Sequence, residues 1–297
     1  MLHIQFTLFS AFYTPLILTM AGGFLEREGL KHSWSVAPAG TSAIKALESG
    51  EAQVIQSAPS QAFSSLAKGE TPLAVHFGQI NAMDGFFISA REPHTGGAAK
   101  PFDWRQLEGR KVVMFGGGQP NAMFRYACHR AGIDFDRIEA ITYGGADAID
   151  QAFRNGEGDF VQQQGPYPQQ LEQDQMGHIV ATVGPQIGIN AFSSLAATRE
   201  WLDTDEATAF TRAFRAAKAH LCEHDSGVIT DTIAEYFPDT NPQALKQCIA
   251  AYQTLGCWRP EIEITPEGLA VVQDVFEHCG QLQRRFGYEE VCARPPG

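Results

Sequence analysis

The sequence predicts an α/β protein of two lobes, each a mixed sheet flanked by helices, with a helical C-terminal segment packed on the first lobe. Three observations carry that expectation. Strand-like alternation and helix-like spacing succeed one another twice, over residues 1–79 and again over residues 111–183. The two stretches share a local pattern, described below. The last third shows helical spacing alone. A length of 297 residues exceeds one ordinary domain and suits two α/β lobes.

In the first stretch, Ile4, Phe6 and Leu8 share one face of a strand over His3–Phe9. A helix follows from Tyr13 to Glu28, with Pro15 suited to its first turn and Gly29 to its stop. Ser33–Ala37 reads as a second strand, and Thr41 or Ser42 can cap a helix running through Ser49. Ala52–Gln56 is a strand, Ser60–Lys68 a helix and Leu73–Gln79 a strand. The second stretch repeats the scheme. Strands at Lys111–Phe115, Ile138–Thr142, Asp159–Gln163 and Ile179–Val183 are interleaved with helices at Asn121–Ala131 and Ala146–Arg154.

The internal pattern is specific. Ala46–Val54 and Ala152–Phe160 each end a helix, turn at Gly-Glu and enter a strand. A glycine just past a helix end takes the left-handed conformation at little cost. Both strands then reach a polar cluster with a proline, Gln56-Ser57-Ala58-Pro59 in one and Gln162-Gln163-Gln164-Gly165-Pro166 in the other. In the tail, Glu206–Cys222, Gly227–Tyr236, Pro242–Leu255 and Pro266–Arg285 have the spacing of helices.

Composition narrows the partners. A formal net charge of -12 disfavours nucleic acid and anionic membrane, because phosphate contacts need clustered Lys and Arg. A small anion is not excluded, since backbone N–H groups at a helix start can hold one. Six cysteines show no CxxC pair and no zinc-finger spacing, so they read as ordinary thiols. No Lys or Arg precedes the apolar N-terminus, and Gln5, Thr7, Ser10 and Pro15 interrupt it. It is therefore read as strand and helix, not as an export signal. The chain as given is expected in the cytoplasm, or in the periplasm if a precursor is trimmed.

In open α/β sheets, ligands bind beyond the carboxyl ends of the strands. That rule selects Ser10, Phe12 and Tyr13 after strand one, and Gly40, Thr41 and Ser42 after strand two. It adds Ser57, Ala58 and Pro59, then Gln79, Asn81 and Asp84. The second stretch contributes Gly118, Gln119, Asn121, Gln163, Gln164 and Tyr167, and Asn190 joins them from a passage between lobes. These residues offer neutral donors and acceptors with aromatics beside them, suited to a compact polar solute. They hold no evident nucleophile-and-base pair. His76, inside a strand pattern, reads as a core histidine. The Gly116–Gly118 run lacks the Lys-Ser/Thr of a phosphate-binding loop. Gln162, Gln163 and Gln164 alternate faces, so not all three can enter one cleft.

On Ala11–Pro15, Ala21–Leu30, Gly40–Val54 and the Ser57–Ser60 turn, the chain resembles the substrate-binding proteins of nitrate, sulfonate and taurine ABC transporters and their thiamine-pyrimidine relatives. The resemblance implies a type II periplasmic-binding fold whose chain crosses between lobes twice. The crossings are expected near Gly85–Ala90 and Gly188–Phe192. Lobe one would then comprise residues 1–87 and 190–297, and lobe two residues 88–189. It implies capture of a small polar or anionic solute (a sulfonate, nitrate, bicarbonate or pyrimidine-like molecule) by lobe closure. An ABC permease would be the partner, the protein would be a monomer, and no cofactor or metal is expected. Relatives often carry an acidic residue where Gln164-Gly165-Pro166-Tyr167 stands here, and Asp84 or Asp147 would have to replace it for a cationic ligand. The alternative is a cytoplasmic enzyme on the same fold, pyrimidine-synthase-like or desulfinase-like, although Ser10 stands where a desulfinase-like enzyme would want a cysteine.

Overall fold

Ten strands form two five-stranded sheets of the same design in the computed structural model, which describes residues 1–38, 40–93 and 101–297. They are β1 (Leu2–Phe6), β2 (His32–Val36), β3 (Val54–Ser57), β4 (Ala74–Asn81), β5 (Phe86–Ala90), β6 (Lys111–Phe115), β7 (Glu139–Tyr143), β8 (Phe160–Gln164), β9 (His178–Thr182) and β10 (Ser193–Thr198). The first sheet has the order β2-β1-β3-β10-β4 and the second β7-β6-β8-β5-β9. Within each, three neighbouring strands run parallel, and one strand that follows a crossing lies antiparallel to both of its neighbours. Two mixed sheets flanked by helices are the expected architecture.

The crossings differ in detail from the expectation. Phe86–Ala90, expected to carry the first crossing, is β5 inside the second sheet, and the crossing is residues 82–85. Its five residues, Ser89 among them, are all buried, so it lacks the alternation of a half-exposed strand. The return passage spans residues 183–192 and includes the expected Gly188–Phe192. It meets the outward passage through Val183 N–H to Phe86 O (2.9 Å) and Asn190 N–H to Ala82 O (2.9 Å).

Local physics sets the other element ends. The first strand stops at Phe6, not Phe9, because the Gln56 side chain accepts the Thr7 and Leu8 N–H groups at 3.1 and 3.0 Å. The helix expected from Tyr13 to Glu28 breaks at Gly22-Gly23, where Gly23 has φ +69°. The helix expected over Pro266–Arg285 ends at His278, and Gly280 takes φ +67° just beyond it.

The helical tail packs on the first lobe and also reaches the second. Helix Asp205–Glu223 lies against Thr14–Ala21 of the first lobe. Helix Pro242–Leu255 also lies against Tyr167–Gln173 of the second lobe, and helix Pro266–His278 against Gly118–Arg130. Lys218 is 1% exposed, and its ammonium donates to Gln79 O (2.8 Å) and Glu261 O (2.7 Å), tying β4 to the tail. His76 is a core histidine, as expected. It is fully buried with Nδ1 2.7 Å from Ser194 Oγ, and burial pushes its pKa down to about 3.

Candidate ligand cleft between the lobes

The carboxyl end of β1 in the first sheet and those of β6, β7 and β8 in the second meet at one small cavity. Leu8, Phe9 and Ser10, just beyond β1, line it from the first lobe. Phe115 at the end of β6, Ala146 and Ile149 after β7, Gln163 and Gln164 at the end of β8, and Tyr167 line it from the second. Its free volume is about 10 Å³, room for roughly one water. A larger solute can enter only if the lobes part.

Side chains clasp the lobes across this cavity. Ser10 Oγ donates to Gln164 Oε1 at 3.1 Å and accepts the Phe12 N–H at 3.2 Å, which fixes the turn that ends β1. Ser60 Oγ donates to Gln119 Oε1 at 2.6 Å, and Gln119 Nε2 donates to Phe192 O at 2.5 Å. The Tyr252 hydroxyl accepts the Gly165 N–H at 2.7 Å and donates to Gly85 O at 3.1 Å, joining tail, second lobe and crossing. Tyr13 is buried, with the Gln164 side chain as hydrogen-bond partner, and desolvation raises its pKa well above the usual tyrosine value.

On the second-lobe wall, Gln163 Nε2 donates to Asp150 Oδ1 at 3.1 Å, and its buried Oε1 has no protein partner. The Tyr167 hydroxyl donates to Asp147. Desolvation first and Asp147 second push the Tyr167 pKa well above its ordinary value, so the phenol stays a donor. Gln162 is fully buried and both its amide atoms lack a protein partner. Its cross-strand neighbour is Ile88, one step along β5 from the Phe87 opposite Gln163, so it faces the other side of the sheet.

Of the residues selected from sequence, the structure brings Ser10, Gln163, Gln164 and Tyr167 to the cavity wall and Gln119 into the clasp. Others lie elsewhere. Gln79 Nε2 donates to Asn81 O (3.1 Å) and Asn190 O (2.9 Å), Asn81 Nδ2 to Ser193 Oγ (2.8 Å) and Asn190 Nδ2 to Gly188 O (2.9 Å). These three are buried at the two crossings, and Asp84, also buried there, accepts the Phe86 N–H on Oδ1 at 2.7 Å. Phe12 packs there too, its ring against Phe192 and Tyr252. Gly40, Thr41 and Ser42 stand apart from the cavity. Thr41 Oγ1 donates to Pro38 O, and Ser42 Oγ accepts the Ile44 N–H. Ser57 is buried with its Oγ unpartnered, beside Ala58 and the Pro59 that opens the next turn. Gly118 takes φ +68° at the start of its helix, and Asn121 Nδ2 donates to Phe115 O.

Sequence reasoning missed Leu8, Phe9, Phe115 and Ile149, because it took residues beyond the strands, whereas Leu8, Phe9 and Phe115 fell inside expected strands and Ile149 inside an expected helix. Phe9 had a local signal, an aromatic directly before Ser10. Tyr252 had none, since only folding brings the middle of a tail helix to Gly85 and Gly165.

Comparison with known proteins follows the same lines. A family model described as "NMT1/THI5 like" matches residues 11–227, and the chain belongs to that family. It is 27% identical over 289 residues to the Bacillus subtilis protein "Putative binding protein YtlA", covering 95% of this chain and 84% of that one. Among solved structures, it is similar to the alkanesulfonate-binding protein SsuA of Xanthomonas axonopodis bound to MOPS. The TM-score is 0.73 at 17% identity, over 99% of this chain and 98% of the other. The periplasmic nitrate-binding protein NrtA of Synechocystis aligns with TM-score 0.62 at 13% identity, over 99% and 91% of the two chains. The fold is that of the periplasmic binding proteins.

Proposed function

We propose that this protein captures a small solute between its lobes by closing on it, and serves as the substrate-binding component of an ABC transporter. One observation carries the reading: a single cavity is walled by strand ends of both lobes and clasped shut by hydrogen bonds between them. Two passages of chain connect the lobes, which permits a hinge motion that opens and closes the cavity. The sulfonate- and nitrate-binding names of its structural neighbours support a small-solute ligand, and a permease is the partner that such a component implies. The enzyme alternative is less favoured, since the matched relatives carry names of binding proteins.

Isothermal titration of the purified protein against sulfonates, nitrate, bicarbonate and pyrimidines tests this directly. A saturable heat for at least one solute is expected. The absence of binding across the whole panel would overturn the reading.

A further inference from the structure

We propose that Gln163 reads the solute through its amide carbonyl, so that the group seated in the cavity is a hydrogen-bond donor, a hydroxyl or an N–H. The proposal rests on the binding reading above and deepens it to a class of solute.

The amide is locked in one orientation. Gln163 is 2% exposed and lines the cavity. Its Nε2 donates to Asp150 Oδ1 at 3.1 Å. A carboxylate only accepts, so the nitrogen and not the oxygen of the amide faces Asp150. Asp150 is held in turn, because its Oδ2 pairs with Arg154, which also reaches Asp174 at 2.8 Å. Turning the amide over would set Gln163 Oε1 against Asp150 Oδ1, acceptor to acceptor.

That orientation leaves one demand unmet. Gln163 Oε1 is buried and has no protein partner. Taking a carbonyl out of water is unfavourable unless another donor replaces the water. The hydroxyl hydrogens on the wall are already committed, that of Ser10 to Gln164 and that of Tyr167 to Asp147. The donor therefore comes from what enters the cavity. A free volume of about 10 Å³ admits one water-sized group, the size of a hydroxyl or an amino group. The N–H groups at the start of helix Ala146–Arg154 stay available to an acceptor on the same solute, so the assignment is to a donor-bearing solute of either charge or none.

Matched pairs of probes that differ by the donor test the assignment: bicarbonate against nitrate, isethionate against propanesulfonate, and urea against acetone. Each is titrated calorimetrically into wild type, Gln163→Met and Asp150→Asn. In wild type the donor of at least one pair should bind, and at least about tenfold more tightly than its partner. Gln163→Met keeps an unbranched side chain and removes the carbonyl, so that ratio should fall by at least about fivefold. In Asp150→Asn, Arg154 draws the asparagine oxygen toward itself. The asparagine NH2 then faces Gln163 and turns its amide over. The donor preference should again fall by at least about fivefold or reverse, although Asp150 is not a wall residue. A purely structural role for either residue would weaken both members of a pair together and leave the ratio alone. A non-donor bound as tightly as its donor partner, a ratio unchanged in the variants, or no binding of any donor probe would overturn the proposal. Binding of some other solute from the wider panel would still uphold the binding reading, so the two failures are distinguishable.

Discussion

At Asp84 a carboxyl that is 1% exposed sits where the chain leaves the first sheet, with Oδ1 on the Phe86 N–H and Oδ2 unpartnered. No cation faces it among the described residues; the titratable groups beside it are Tyr13 and Cys257. Desolvation raises its pKa from 3.8 to about 7. The native chain therefore holds a proton, between about pH 4 and 7, that the unfolded chain has lost. Stability from this group is fully present below the unfolded value and falls as pH rises through that window, levelling off above about 7. Asp84→Asn keeps the acceptor for Phe86 and cannot ionise. Its stability advantage over wild type should be small at pH 4 and grow by pH 8 to on the order of 4 kcal/mol. Urea unfolding at several pH values measures this, and a pH-independent gap between the two proteins would contradict it. Asp84 also shows a limit of sequence reading. Gln79, Asn81, Asp84 and Asn190 are polar residues near strand ends, as cleft residues are. Only the paired passages of chain distinguish a hinge network from a ligand wall.

Among the elements, the crossing at residues 82–85 is tightly packed against its neighbours. A Cβ on Gly85 would stand 2.2 Å from Phe12 Cε2, and one on Gly184 would stand 2.3 Å from Asp84 O. The Phe12 ring is fully buried among Tyr13, Phe192 and Tyr252, so it has little room to retreat. Gly85→Ala should destabilise the protein by about 1–3 kcal/mol, as overpacking of a filled site does. Chemical denaturation reads the loss, and a change below about 0.5 kcal/mol would show that the ring moves freely. Strand and helix positions were largely legible from periodicity, as at β6 and at helix Pro242–Leu255, which has the expected bounds. The antiparallel strands β5 and β10 were not. Each is almost wholly buried and lacks alternation, and sheet membership of such a run depends on tertiary partners.

For the whole molecule, the repeated helix-turn-strand pattern foretold two lobes of equal design, and the matching strand orders of the sheets express it. The tail adds what the sequence did not show, because its contacts with the second lobe are made by residues far apart in the chain. Gln173 Nε2 donates to Gln247 Oε1 at 3.0 Å, and Gln170 Oε1 accepts the Asn241 N–H at 2.9 Å. His129 and His278 stack across the lobes with ring centroids 4.3 Å apart. These contacts and the clasp at Ser10 and Gln119 hold a closed form whose cavity admits only about 10 Å³. A solute larger than water therefore needs a form more open than this one, and its binding draws still more open molecules toward closure. Small-angle X-ray scattering, without and with a saturating solute found by titration, measures that conversion. The radius of gyration should fall on binding toward about 19 Å, the value for a compact chain of this length. An identical scattering profile in the two states, with solute bound, would contradict capture by closure.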